Sequence, residues 1–260
     1  MRRKLAAGLV IGAVVLGLGV VRAMSADAAA VPAYHPTRLK NVADAQQLIV
    51  VTGASRSSSY ATAYTYQLGA DGKTWTAKYG AMKARVGYNG WAWASERVQD
   101  TGTTPMGTFR ITMAFGLKAN PGTKVKYTRA DGNDYWTGDN KDAKTYNMFQ
   151  PTLSSKRTWR KGEAERLASY PTQYEYAAVV DFNRPAASSV KWDAARSQFV
   201  TSKPANTKRG SAIFLHINGK GSTGGCVSLA RADLLKVLKW LDPARKPRIV
   251  MATAADIGKA

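Results

Sequence analysis

IFLHINGKGSTGGCVSL, residues 213–229, sets His216 at the end of an apolar strand and Cys226 behind a glycine-rich connector, NGKGSTGG. Side chains alternate faces along a strand, and loops begin where it ends. The connector can fold back and bring Cys226 to the imidazole. The chain holds 1 cysteine and 2 histidines, so this stretch gathers its only thiol and one of its imidazoles.

An ordinary thiol, with a pKa of about 8.5, is only a few per cent thiolate at neutral pH. A neighbouring imidazole that accepts the proton makes the thiolate available. Gly224 and Gly225 have a separate use: without side chains, they let backbone N–H groups point at one spot, as an oxyanion hole requires. Cys, His and Gly-Gly together are the parts of an acyl-transfer site, with Cys226 and His216 as candidate catalytic residues. The alternative is a small buried thiol, a strand-end histidine held by its neighbours, and loop glycines. A metal centre is not expected, because two such ligands without a nearby carboxylate are too few. No cofactor is implied. His35 lies in a different segment, apart from this pair.

Moving outward, strand patterns dominate. QLIVVTG (47–53) is an apolar run closed by glycine. SYATAYTYQL (59–68) places Tyr60, Tyr64 and Tyr66 on one face, and TWTAKYGAM (74–82) does the same with Trp75, Ala77 and Tyr79 across an Asp71-Gly72 turn. Such a face is either half-buried in a sheet or a ligand platform. Residues 107–116, 175–183, 211–219 and 248–253 are four further strand candidates. RADLLKVLKWLDP (231–243) predicts a helix: Leu234, Leu235, Leu238 and Leu241 form its apolar stripe, and Pro243 stops it. Between the strands, 118–170 is a long polar segment that should build a site, with KGEAERLAS (161–169) as a short helix. The fold class expected is mainly β with a C-terminal helix.

The 260-residue length suffices for one large domain, and its 45% hydrophobic and 21% charged residues are those of a globular chain. MRRK followed by the apolar run 5–21 and small residues before Val31 predicts a secretory signal peptide over 1–30. A retained anchor is the alternative, the run being at the short limit for a span. With cleavage, no stable membrane span remains. The expected order is then an Ala/Pro-rich tether over 31–47, a catalytic domain over 48–253 and a tail over 254–260. The net charge is +21, and a chain beginning at Val31 keeps 34 basic against 16 acidic residues, or +18. Such charge attracts polyanions. For an exported chain without a nucleic-acid motif these are anionic envelope polymers, not nucleic acid, and the expected location is the cell envelope or outside the cell.

TPMGTF (104–109), GSAIFLH (210–216) and GGCVSL (224–229), with YWTGDNKDAKTYN (135–147) and YEYAAVVDFN (174–183), resemble the YkuD-type L,D-transpeptidase catalytic domain, in its secreted branch with a shortened His-to-Cys interval. The resemblance spans about 48–253. It implies a single β-sandwich-like domain that remodels bacterial peptidoglycan through a cysteine acyl-enzyme, forming 3→3 cross-links between stem peptides. It also implies that a backbone carbonyl just after His216, from Ile217 or Asn218, orients the imidazole, and that Gly225 and Cys226 N–H groups hold the oxyanion. Trp136, Asp139, Tyr146 and Asn147 match recurring positions of this branch and are candidate substrate contacts. Two positions depart from the family pattern: Gly224 stands where a histidine is usual, and Ser228 where an arginine is. A hydrolytic carboxypeptidase using the same residues and a non-catalytic wall-binding protein are the alternatives.

Overall fold

The computed structural model describes residues 32–42 and 44–260; the expected signal segment, 1–30, lies outside them. The first apolar run forms β1 (Gln47–Gly53), buried along nearly its whole length, as a strand covered on both faces must be. The Asp71-Gly72 turn joins β2 (Tyr60–Leu68) to β3 (Trp75–Arg85). Gly72 sits at φ 65°, and the Asp71 carboxylate accepts from the Lys73 and Thr74 N–H groups. Then come β4 (Trp91–Trp93), the long β5 (Thr104–Gly116), β6 (Lys126–Arg129), β7 (Tyr135–Thr137), β8 (Phe149–Gln150), β9 (Ala164–Arg166) and β10 (Ala177–Val180). A hairpin of β11 (Val190–Asp193) and β12 (Gln198–Thr201) precedes β13 (Phe214–Ile217), β14 (Val227–Leu229), the helix α1 (Arg231–Trp240) and β15 (Arg248–Thr253).

The main sheet runs β10-β13-β14-β3-β2-β1-β15-β5, and β10 pairs again with β5. The sheet therefore closes on itself, which leaves no open edge along this path. Its interior holds Ile49, Val51, Ile111, Leu215, Val227, Ile249 and Met251. The helix adds Leu234, Val237 and Leu238, with Leu241 just past its end. Leu235, expected in the apolar stripe, is only half-buried. Counting i, i+3, i+4 and i+7 from Leu234 gives Val237, Leu238 and Leu241, and this is the face that turns inward.

Alternation along β13 and β14 positions the site. Leu215, Ile217, Val227 and Leu229 belong to the interior. Phe214 and Cys226 belong instead to a second, aromatic cluster with Phe115, Trp136, Leu167 and Tyr174. The strands are parallel with His216 opposite Ser228, so Phe214, His216, Cys226 and Ser228 share the outer face. The 118–170 segment covers that face with the small sheet β8-β7-β9.

Several sequence expectations shift. KGEAERLAS is no α-helix: Ala164–Arg166 pairs antiparallel with Tyr135–Thr137, flanked by single 3-10 turns. Partner strand pairing overrides local helix preference there. Residues expected to be a tether are docked: Leu39 and Ala45 enter the core, and Tyr34 stacks on Tyr64 at 4.1 Å. The expected tail is also packed, with Ile257 and Ala260 buried and Asn41 Nδ2 donating to the Ala260 carbonyl at 3.0 Å. One compact unit covers Pro32–Ala260. Tyr60 does not share the fate of Tyr66: it is exposed at the strand end, while register shifts interrupt the β2–β3 ladder near Thr65. His35 caps a 3-10 turn and meets the edge of the Tyr66 ring.

Candidate active site

Cys226 and His216 line one cavity of about 580 Å³, together with Trp136, Glu165, Tyr174 and Lys220. Both side chains are nearly covered, Cys226 at 8% and His216 at 7% exposure. The turn before Cys226 is fixed by two threonines. Thr223 Oγ1 donates to the Cys226 carbonyl at 2.6 Å and accepts from the Gly225 N–H at 3.1 Å. Thr104 Oγ1, at the head of TPMGTF, accepts from the Gly87 N–H at 2.8 Å and donates to the Gly225 carbonyl at 2.9 Å. Gly225 itself stands at φ 138°, and a Cβ there would come within 2.7 Å of the Thr103 carbonyl and 2.9 Å of Arg97 Nη2. Glycine is required at this position by both conformation and space.

The sulfur is bonded on two sides. It donates to the Ala212 carbonyl at 3.2 Å and accepts from the Phe214 N–H at 3.4 Å. Ala212 has φ 55°, a left-handed conformation that costs a residue with a side chain free energy. Asn147 holds it there: its Oδ1 accepts from the Ala212 N–H at 3.1 Å and from Trp136 Nε1 at 2.8 Å, while Nδ2 donates to the carbonyls of Phe182 and Asn183. His216 Nδ1 lies 2.8 Å from the Ile217 carbonyl. A carbonyl only accepts, so Nδ1 carries the proton and Nε2 is left as the basic nitrogen.

Burial sets the resting protonation. It pushes the Cys226 thiol up to about 12, with the Glu165 charge adding to the rise; the Phe214 N–H, Arg97 and the Cys226 N–H oppose it. It pushes the His216 imidazole down to about 4, against the Ile217 hydrogen bond. Thiol and imidazole are thus both neutral at pH 7. No hydrogen bond joins Nε2 to Sγ among the described residues; the Ala212 carbonyl holds the thiol proton. The nearest buried cation is Arg97, 4% exposed, anchored to the carbonyls of Thr103 at 2.8 Å and Arg209 at 2.7 Å, with no carboxylate partner among the described residues. Its charge favours the thiolate over the thiol.

Of the other expected site residues, Trp136 lines the cavity. Asp139, Tyr146 and Asn147 are buried outside its lining and are corrected from substrate contacts to framework. Asp139 grips the Arg160 guanidinium and accepts from the N–H groups of Arg160 and Lys141. Tyr146 donates to Gln99 at 2.6 Å. The reason is chemical: these groups satisfy backbone and ion-pair needs inside the insertion, where an unpaired polar atom would be costly. Two orienting roles also change. The Gly225 N–H is occupied by Thr223, and the carbonyl that meets the imidazole is that of Ile217, not Asn218. Thr104, Thr223, Arg97, Ala212 and Glu165 were not singled out from the sequence. Thr104, Ala212 and Thr223 lay in the quoted stretches TPMGTF, GSAIFLH and NGKGSTGG, while Arg97 and Glu165 carried no signal.

A family model described as YkuD, L,D-transpeptidase catalytic domain, matches residues 46–250. No curated protein and no solved structure gives a match.

Proposed function

Because the chain belongs to the YkuD family of L,D-transpeptidase catalytic domains, whose activity is L,D-transpeptidase-type peptidoglycan remodelling, we propose that Cys226 carries the acyl group as a thioester. The observation that supports this most is the convergence of Cys226 and His216 on one cavity wall, through strand alternation and the threonine-fixed turn. In the proposed reaction His216 Nε2 takes the thiol proton and the thiolate attacks the carbonyl of the third residue of a tetrapeptide stem. The Cys226 N–H, which donates to no other group among the described residues, is the donor for the oxyanion. The imidazolium then protonates the departing D-alanine amine. An amine on a second stem resolves the thioester and gives a 3→3 cross-link.

The neutral resting pair means that activation belongs to the complex with substrate. Filling the cavity displaces the thiol from the Ala212 carbonyl towards Nε2, and Arg97 stabilises the charge that develops. Ser228, where the family has an arginine, leaves the donor carboxylate to another cation; Lys220 on the cavity rim is placed to meet it. Export and binding to anionic envelope polymer belong to the same reading and are supported by the leader sequence and the +21 charge. Incubation with a disaccharide-tetrapeptide tests the proposal: a cross-linked dimer supports transpeptidation, a trimmed monomer supports the hydrolytic alternative, and unchanged substrate contradicts both.

A further inference from the structure

The cavity that Cys226 lines is rich in acidic residues, in a strongly basic chain. Its lining includes Asp100, Glu165 and Glu163, the last paired with Arg160 at 3.5 Å, against the single lysine Lys220, while the molecule as a whole carries +21. Glu165 is the one tied to the reacting groups. The β7–β9 ladder sets it opposite Trp136. Tyr174 Oη donates to its Oε1 at 2.6 Å, and the Tyr174 ring meets His216 edge-on at 5.6 Å. Its Oε2 has no hydrogen-bond partner among the described residues. The ionisable groups sharing this space are Tyr170 and Tyr174 beyond β9, His216 on β13, Lys220 on the connector, Cys226, Asp100 and Glu163. Burial pushes the Glu165 carboxyl up to about 7, and the Tyr174 bond holds it from rising further.

We propose that Glu165 receives the acceptor: it binds the ammonium of an incoming primary amine and removes one of its protons, so that the free amine can attack the Cys226 thioester. This rests on the reading of Cys226 as the acyl carrier. An alkyl ammonium, with a pKa of about 10.4, is almost wholly protonated at neutral pH and cannot act as a nucleophile without such a partner. In the step, the ammonium gives one proton to the Glu165 carboxylate, and the nitrogen lone pair forms the C–N bond. The C–S bond breaks with its electron pair going to sulfur. The second proton leaves nitrogen and returns to Sγ by way of His216, and Glu165 releases its proton to solvent. A water acceptor needs no ammonium site, so Glu165 acts on the choice between cross-linking and hydrolysis.

The test loads the full chain with a disaccharide-tetrapeptide donor and supplies lysine as the amine. Mass spectrometry then gives the ratio of aminolysis to hydrolysis per acylated enzyme from pH 5.5 to 9. Counting only acylated molecules removes any unfolded fraction. For the native chain the ratio should climb and level off above about pH 7, as Glu165 becomes carboxylate. Glu165→Gln should lower it on the order of 10²-fold at pH 7.5 and abolish the levelling. Tyr174→Phe, which frees the carboxyl from its donor, should move the levelling to higher pH. A thioester that forms in Glu165→Gln and partitions as in the native chain overturns this proposal alone. Absence of a thioester in every protein overturns the acyl-carrier reading and this proposal with it.

Discussion

Burial acts on Cys226 and His216 in opposite directions, raising the thiol to about 12 and lowering the imidazole to about 4, and so stores the pair uncharged. The stored state has a signature in stability. An unfolded imidazole titrates near 6.5, and the folded one near 4. Between these values the unfolded chain binds the proton and the folded chain does not. The His216 contribution is therefore fully present above about pH 6.5 and is lost as pH falls towards 4, amounting to roughly 3 kcal/mol at the lower end. Denaturant unfolding of the native chain and His216→Gln should show a stability difference that narrows over this window as pH falls. A constant difference would mean that the imidazole is not stored neutral. The two residues were legible from the sequence, because one thiol and a strand-end imidazole flank a glycine-rich connector. Their protonation was not legible, since it comes first from burial and, for Cys226, next from the Glu165 charge, both of which arise only with tertiary packing.

Strands carry the site, and their pattern was open to reading wherever one face was apolar. β1 and β15 fall on the runs expected, 47–53 and 248–253, and β13 lies within its run. The expectation fails where partners decide: Ala164–Arg166 has helix-forming residues and pairs as a strand, and that pairing is what aims Glu165 at the cavity. The link from β5 to the Cys226 turn is made by a single hydroxyl, whose residue TPMGTF marked but whose partners it did not. Thr104 joins Gly87 to Gly225 across 17 and 121 residues of sequence. Thr104→Val keeps the shape, removes both bonds and leaves a buried donor and acceptor unpaired, at a cost of about 1–3 kcal/mol each. Thermal unfolding should show the loss, and acylation should slow more than the fraction unfolded explains. A variant with native melting temperature and acylation rate would remove Thr104 from the account of how the turn is held.

At the scale of the molecule, the closed sheet and the charge answer different questions. Closure explains why so short a strand as β14, Val227–Leu229, holds its position between β13 and β3. The +21 charge says nothing of the fold and much about surroundings. Attraction of this kind is screened over roughly 10 Å in 0.1 M salt, so binding to isolated cell walls should weaken steadily as salt rises. Binding indifferent to salt would place the contact in a specific pocket. All of this is subordinate to one claim, that Cys226 accepts the donor acyl group. Its most direct test is intact-protein mass spectrometry after brief mixing with a disaccharide-tetrapeptide and acid quench. One added acyl mass per chain is expected, mapped to Cys226, with one D-alanine released and no adduct on Cys226→Ala. Release of D-alanine by Cys226→Ala at the native rate would contradict it.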